Sequence, residues 1–519
     1  MSRLAARLLR RKSVERLAAE REIHGLDRTL GPASLVLLGV GCIIGAGVYV
    51  MTGAAAAQYA GPAVILSFVL AGAACAFTGL CYAELASVLP VAGSSYSYAY
   101  ASLGEGAAWV LGWLLMLEYG LAGAALAVGL SSYLSSLLAG MGVHLPAVIA
   151  TSFVQAREAP GGVAFSMGGG VNLVAVAALA AAALLLVRGV AESALANAIL
   201  VTVKLGILVA FVAVGAQSVD PHNWTPFVPP NQGGFSYGAP GVFRAASMLF
   251  FAYLGFETVS TAASEARDPQ KDMPIGILGS LLVCTVVYVA VAAVLTGVAP
   301  YRSLGVADPI AVAVDHMGRP GFAGLVKLGA VMGLSSVLLV NTYGHSRICF
   351  AMSRDGLLPG VFGRLHSVRR TPWLGTLAVA AAAAIGAALL PISLLGDLVS
   401  VGTGLAFCIV AMSVIWLRNT RPDLARTFRV PLGGFRVRGL WIGWTPLAAI
   451  VLCLTMVGPV VIDVVRKALS GDPLPAAILI LYALAGVLIY AAWGYRHSAL
   501  SGLDEADGAE VNRPEARRV

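Results

Sequence analysis

Residues 39–50 read GVGCIIGAGVYV. The stretch is apolar enough to sit in a membrane, yet four of its twelve residues are glycine. Glycine in a helix interior costs roughly 0.5–1 kcal/mol relative to alanine. A membrane helix weakened at its middle needs a reason, and that reason decides the fold.

The chain around it is a membrane chain. Of 519 residues, 58% are hydrophobic and only 12% are charged, where a soluble protein carries about 25% charged residues. A helix needs about 20 apolar residues to cross the hydrocarbon core. Twelve apolar runs meet or approach that length, near 32–57, 62–87, 107–137, 171–187, 192–215, 241–263, 274–299, 321–346, 374–390, 394–417, 441–465 and 474–495. The fold class expected is therefore all-α integral membrane, with about twelve transmembrane helices.

The net charge of +8 is informative through its distribution. With Met1 on the cytoplasmic side, the cytoplasmic segments hold 26 of the 34 Lys and Arg residues. The opposite loops hold Arg157, Arg302, Arg319, Arg466 and Lys467. Cytoplasmic loops carry excess Lys and Arg, so both termini are expected inside, in a multi-pass plasma (inner) membrane protein. The basic balance thus reads as topology and not as nucleic-acid binding. Residues 1–31, with RLAARLLRRKSVERLAAEREI, read as an amphipathic surface helix and not as a cleaved signal peptide. Residues 496–519 read as a polar cytoplasmic tail, disordered from about residue 500. The seven cysteines form no C-x-x-C pair and no H-E-x-x-H occurs, so no metal, cofactor or enzyme chemistry is expected.

Gly39-x-Gly41-x-x-x-Gly45 misses the dinucleotide fingerprint by one residue and lacks its strand–helix context. Position is the better guide. Gly45 and Gly47 fall near the centre of the first span. Non-helical backbone survives at membrane depth only where protein or a watery cavity surrounds it; the bland alternative is glycine for close helix packing. A second weak point, Gly255 with Glu257, sits in the middle of span six, ASMLFFAYLGFETVSTAASEA. Interrupted spans at matching places in two halves are a sequence pointer to a secondary-transporter site. Spans 1–5 (32–215) and 6–10 (241–417) would be two repeats, with spans 11–12 (441–495) outside them. A break frees N–H donors on the half-helix that follows, which suit a carboxylate. It frees carbonyls on the half-helix before it, which suit an ammonium.

At these residues the chain resembles the amino acid–polyamine–organocation superfamily, and within it the cationic amino acid transporter branch. The likeness rests on GVGCIIGAGVYVMTG (39–53), CYAELASVLPVAGSSYSYAYASLGE (81–105), FFAYLGFETVSTAASEARDPQKDMPIGI (250–277) and SRICFAMSRDGLLP (346–359). It implies a 5+5 inverted repeat like that of the bacterial leucine transporter, with helices 1 and 6 broken and alternating access around a midplane site. It implies carboxylate donors at Gly45, Ala46 and Gly47, and ammonium-facing carbonyls at Ile43, Phe251, Ala252 and Leu254. It places Glu118, Tyr253 and Glu257 at the pocket, with Glu257 where many relatives carry Asp. Lys204, in NAILVTVKLGILVAF, stands where proton-coupled relatives place a lysine in lieu of a sodium ion. Buried lysine favours its neutral form, so it can cycle a proton. Arg244 and Lys327, nearer span ends, read as snorkelling. Ser335, Ser336 and Asn341 read equally as coupling-site or packing groups, and Glu84 as a gate candidate.

The expectation is a permease for amino acids working by proton-coupled uptake, functional as a monomer, with the substrate, protons and the bilayer as its partners. An uncoupled exchanger and a polyamine or organic-cation carrier are the alternatives, and a sensor is the least favoured. Two acids near the pocket favour arginine or lysine as substrate, while small neutral amino acids stay open.

Overall fold

A computed structural model describes residues 8–12, 30–89, 94–159, 162–189, 194–369 and 371–500. Most of the expected N-terminal surface helix, and the tail beyond residue 500, lie outside the described residues.

Helix dominates. The long elements are α1 (Pro32–Ile43), α2 (Val64–Val88), α3 (Glu105–Gly140), α4 (Leu173–Val187), α5 (Ala194–Gly215) and α6 (Gly238–Leu249). They continue as α7 (Pro269–Val298), α8 (Pro320–Arg354), α9 (Trp373–Leu389), α10 (Ile392–Thr420), α11 (Trp444–Leu469) and α12 (Leu474–Ile489). Among the described residues, nine helical stretches are long and apolar enough to cross a membrane. α1, α4 and α9 are shorter apolar helices. The first of the nine, Gly47–Val88, contains the end of the first apolar run and all of the second. They separate at Gly61, whose φ of +60° turns the chain back where a side chain would be strained.

The apolar surface is on the outside as well as inside. Leu481, Val487 and Leu488 of α12 and Leu282 of α7 are each about two-thirds exposed. Exposed leucine along whole helix faces fits lipid as solvent. α3 and α8 lie against each other, and α10 also packs on α3. α7 lies on α1 and α2, α9 on α4, and α11 on α10.

The all-helical expectation misses two small hairpins. β1 (Val154–Ala159) pairs antiparallel with β2 (Gly162–Met167) in the connection before α4. β3 (Gly434–Val437) pairs antiparallel with β4 (Leu440–Gly443) before α11. Both are short enough to leave no hydropathy signature.

Candidate functional site

Two helices break at the same place in the bundle. α1 ends at Ile43, and Ile44 leaves helical geometry with ψ of 93°. Helix resumes at Gly47 and runs, partly in π form, to Ala60. α6 passes through a 3-10 turn at Phe250–Tyr253 into Leu254, with ψ of 135°, and Gly255, with φ of +117°. A second 3-10 stretch, Phe256–Ser264, follows. The first N–H groups of a helical stretch have no partner within it, so the stretch that begins at Gly47 presents its first donors at the first break.

The glycines do two jobs. Gly45 borders a cavity, with Cys42, Ile43, Ala46 and Gly47 beside it. Gly47 also solves a packing problem. A Cβ there would lie 2.3 Å from Ala252 Cα and 2.4 Å from Ala252 Cβ. Gly255 meets the first break in the same way, since its Cβ would lie 2.7 Å from the Cys42 carbonyl carbon. Gly39 has Ser280 Oγ at 2.5 Å from the corresponding point. Close packing therefore accounts for Gly39 and contributes at Gly47, while Gly45 keeps room on the cavity side.

Eight of the residues singled out by sequence border this cavity: Ile43, Gly45, Ala46, Gly47, Phe251, Leu254, Gly255 and Asn341. Its remaining walls come from Cys42 at the first break, Tyr119, Ala122 and Leu126 on α3, Val337 and Val340 on α8, and Thr258 at the second break. Asn341 Nδ2 donates to the Tyr119 carbonyl at 2.8 Å and ties α8 to α3.

Two expectations need correction. Tyr253 is not on the cavity wall. Its hydroxyl donates to the Phe68 carbonyl at 2.9 Å, and its ring packs edge-on against Phe68 and Tyr288. Ala252 is likewise turned away, and its carbonyl faces the Tyr288 hydroxyl at 2.9 Å. The Ile43 carbonyl faces the same hydroxyl at 2.8 Å. One phenol has one proton, so Tyr288 on α7 serves two break carbonyls in turn. This residue was missed by sequence. A tyrosine in mid-span must find an acceptor when buried, and that was the available signal.

The acids stand one layer back. Glu257 Oε2 accepts from the Gly255 N–H at 2.8 Å, and its Oε1 lies 3.4 Å from the Tyr119 hydroxyl. It thus sits on the N-terminus of the helical stretch that follows the second break, where negative charge is favoured. Glu118 is fully buried in α3, and neither of its carboxyl oxygens has a hydrogen-bond partner among the described residues.

Lys204 on α5 reaches the first break. Its Nζ donates to the Gly41 carbonyl and to the Ile44 carbonyl, the latter at 3.1 Å. Its stem lies near Gly333 of α8. The side chain is buried, with its ammonium on the first break and its stem beside α8.

Arg244 and Lys327 do not snorkel. Arg244 is completely buried at 0% exposure and forks onto Asp397 of α10, at 2.9 and 2.6 Å. It also reaches Asp463 of α11 at 3.1 Å and lies over the Tyr59 ring. Lys467 completes the group on Asp463 at 3.1 Å. Lys327 pairs with Asp315 at 2.7 Å. Glu84, at the far end of α2, binds the Arg418 guanidinium and the Val430 N–H.

The chain has relatives among known proteins. The protein-family profile described as amino acid permease matches residues 30–485. The methylthioribose transporter of Bacillus subtilis (strain 168) is 45% identical over 425 residues, covering 82% of this chain and 88% of that protein. The branched-chain amino acid permease BcaP of the same organism is 41% identical over 498 residues, covering 95% of this chain and 99% of that protein. The vacuolar cationic amino acid transporter 4 of Arabidopsis thaliana is 38% identical over 418 residues, covering 80% of this chain and 68% of that protein.

Proposed function

The chain belongs to the amino acid permease family, and on that footing we propose that it carries amino acids across the membrane by proton-coupled alternating access. The substrate's carboxylate rests on the N–H groups of residues 45–47, and its ammonium on carbonyls at the two breaks. The observation that carries this reading is the single cavity bordered by both breaks, with residues 43–47 on one side and Phe251, Leu254 and Gly255 on the other. Backbone at membrane depth with its polar groups turned to a cavity is tolerated only where something polar can occupy it.

The twelve helical runs are read as two five-helix inverted repeats plus α11 and α12, in the plasma membrane. The excess of Lys and Arg supports cytoplasmic termini. On that topology Glu84, Arg418 and the loop after α8 face the cytoplasm, and Tyr59, Arg244 and Asp463 face outward. Lys204 is the coupling group. Protonated, it holds α5 to the Gly41 and Ile44 carbonyls beside α8. Deprotonated, it loses the charge that holds the Gly41 and Ile44 carbonyls, and the helices are free to part.

The test is uptake by proteoliposomes of the purified protein, loaded at neutral pH and diluted into acidic buffer with a labelled amino acid. Accumulation above the external concentration, abolished by a protonophore, is the expected result. Exchange that ignores the gradient would replace coupling with uncoupled antiport.

A further inference from the structure

The connection into α11 carries charge that transport does not use. From Leu424 to Ile462 the chain has no Asp or Glu, and Arg426, Arg429, Arg436 and Arg438 stand just before α11. Arg426 turns to Glu84, as Arg418 does. Arg429, Arg436 and Arg438 are exposed, and none of them pairs with an acid among the described residues.

The β3–β4 hairpin holds two of these arginines on a scaffold with two unlike faces. Opposed residues of a hairpin share a face, and successive residues alternate. Phe435 opposite Ile442 and Val437 opposite Leu440 therefore make one face wholly apolar. Arg436 opposite Trp441 lies on the other. Val437 and Leu440 are about half exposed, as is Trp444 beside them. Arg438 sits at the tip with φ of +49°, where glycine or asparagine is the easier choice. A long cation is kept there against local preference.

The hairpin is fixed between two spans. It runs directly into α11 at Trp444, whose ring packs on Phe435 with centroids 4.7 Å apart. Tryptophan at the end of a span sits at headgroup depth. Asn419, near the end of α10, holds Trp441 by two bonds. The Trp441 N–H donates to its Oδ1 at 2.7 Å, and its Nδ2 donates to the Trp441 carbonyl at 2.9 Å. The Arg418 guanidinium lies over the Trp441 ring.

From this juxtaposition of a bare apolar face and unpaired arginines we infer that the β3–β4 hairpin is a docking surface for anionic phospholipid. Val437 and Leu440 meet the acyl boundary, and Arg429, Arg436 and Arg438 take headgroup phosphates. An apolar face beside basic residues is the pattern of an element lying in the membrane interface, and guanidinium matches phosphate in geometry as well as charge. On the topology proposed above, the leaflet is the cytoplasmic one.

The experiment is thermal unfolding of the purified full-length protein in mixed micelles with increasing phosphatidylglycerol or phosphatidylcholine of the same acyl chains. Phosphatidylglycerol should reach half-maximal stabilisation at a concentration roughly tenfold lower, since each basic residue near an anionic surface is worth about fivefold. High salt should shrink that advantage. Arg436→Gln combined with Arg438→Asn should remove most of it. Asparagine tolerates the positive φ, so the charge is lost without strain. Equal potency of the two lipids, or a full phosphatidylglycerol response in the folded double variant, would overturn the proposal. So would inorganic phosphate reproducing the shift, because the site would then need no lipid. Val437→Ser with Leu440→Ser should weaken the response to both lipids alike. If that variant instead turns a dimer into a monomer on gel filtration, the face belongs to a second copy of the chain and the lipid proposal fails.

Discussion

Gly47 and Ala252 touch with no room for a side chain: a Cβ on Gly47 would fall 2.3 Å from Ala252 Cα, which is backbone and cannot rotate away. The two breaks are thereby pinned to one another at the cavity's edge, since Gly47 lines it and Ala252 follows Phe251, which also does. Gly47→Ala forces them apart. Overpacking of this kind costs about 1–3 kcal/mol, so the variant should unfold at lower temperature and bind amino acid more weakly. Gly206→Ala on α5, with nothing within 4 Å, is the control and should be at least as stable as the unsubstituted protein. Equal stability of Gly47→Ala and Gly206→Ala would show that the breaks do not need this contact.

Tyr288 bears on how the site is filled. Its hydroxyl faces the Ile43 and Ala252 carbonyls, two of the groups expected to meet the substrate ammonium. If the ammonium takes the Ile43 carbonyl, binding must displace the phenol. Tyr288→Phe removes that competitor but leaves buried carbonyls without a donor, at a cost of about 1–3 kcal/mol. The empty variant should therefore melt lower, and the rise in melting temperature on adding amino acid should be larger than in the unsubstituted protein. A smaller rise would place the phenol among the substrate's own partners.

The breaks were legible because glycine and a mid-span acid are both expensive in lipid, and both helices change direction within two residues of the glycines singled out. Gly45 and Gly255 announced themselves in this way. For Gly47 close packing stood only as the bland alternative, because the partner that decides it, Ala252, lies 205 positions away and nothing in the sequence pairs the two. Tyr253 was misplaced for a related reason. In a 3-10 turn successive side chains diverge by about a third of a turn, so Tyr253, lying between the cavity residues Phe251 and Leu254, points at Phe68 instead. Arg244 was read as a span-end residue because Asp397 and Asp463 stood on other helices, where sequence could not pair them.

That buried cluster makes its own prediction. Arg244 has two carboxylates within 3.1 Å and no exposure to water. Removing one partner of a buried pair is costly, about 3–5 kcal/mol, because the other charge is stranded. Arg244→Leu strands Asp397 outright, while Asp463 keeps Lys467. The single variant should lose most of its folded yield in detergent. Arg244→Leu combined with Asp397→Leu removes both charges and should recover part of the melting temperature. A double variant worse than the sum of the two single changes would mean the fork is not the main interaction of either residue.

Lys204 separates coupling from binding. Its ammonium lies on the Gly41 and Ile44 carbonyls, beside the Ile43 carbonyl that Tyr288 of α7 faces. It does not border the cavity. Substrate and proton would therefore act on the same short backbone segment, which is how the occupancy of one can depend on the other. Lys204→Ala deletes the titrating group and leaves the N–H groups of residues 45–47 in place. The variant should fail to accumulate amino acid under an inward proton gradient. Binding should survive, weakened by no more than about tenfold, roughly 1.4 kcal/mol, and counterflow of labelled against unlabelled amino acid should persist. Lys204→Arg should also fail to accumulate, because guanidinium keeps its proton at any physiological pH. Full accumulation by either variant, measured in the same proteoliposomes, would move the coupling site elsewhere, with the buried and unpartnered Glu118 the next residue to test.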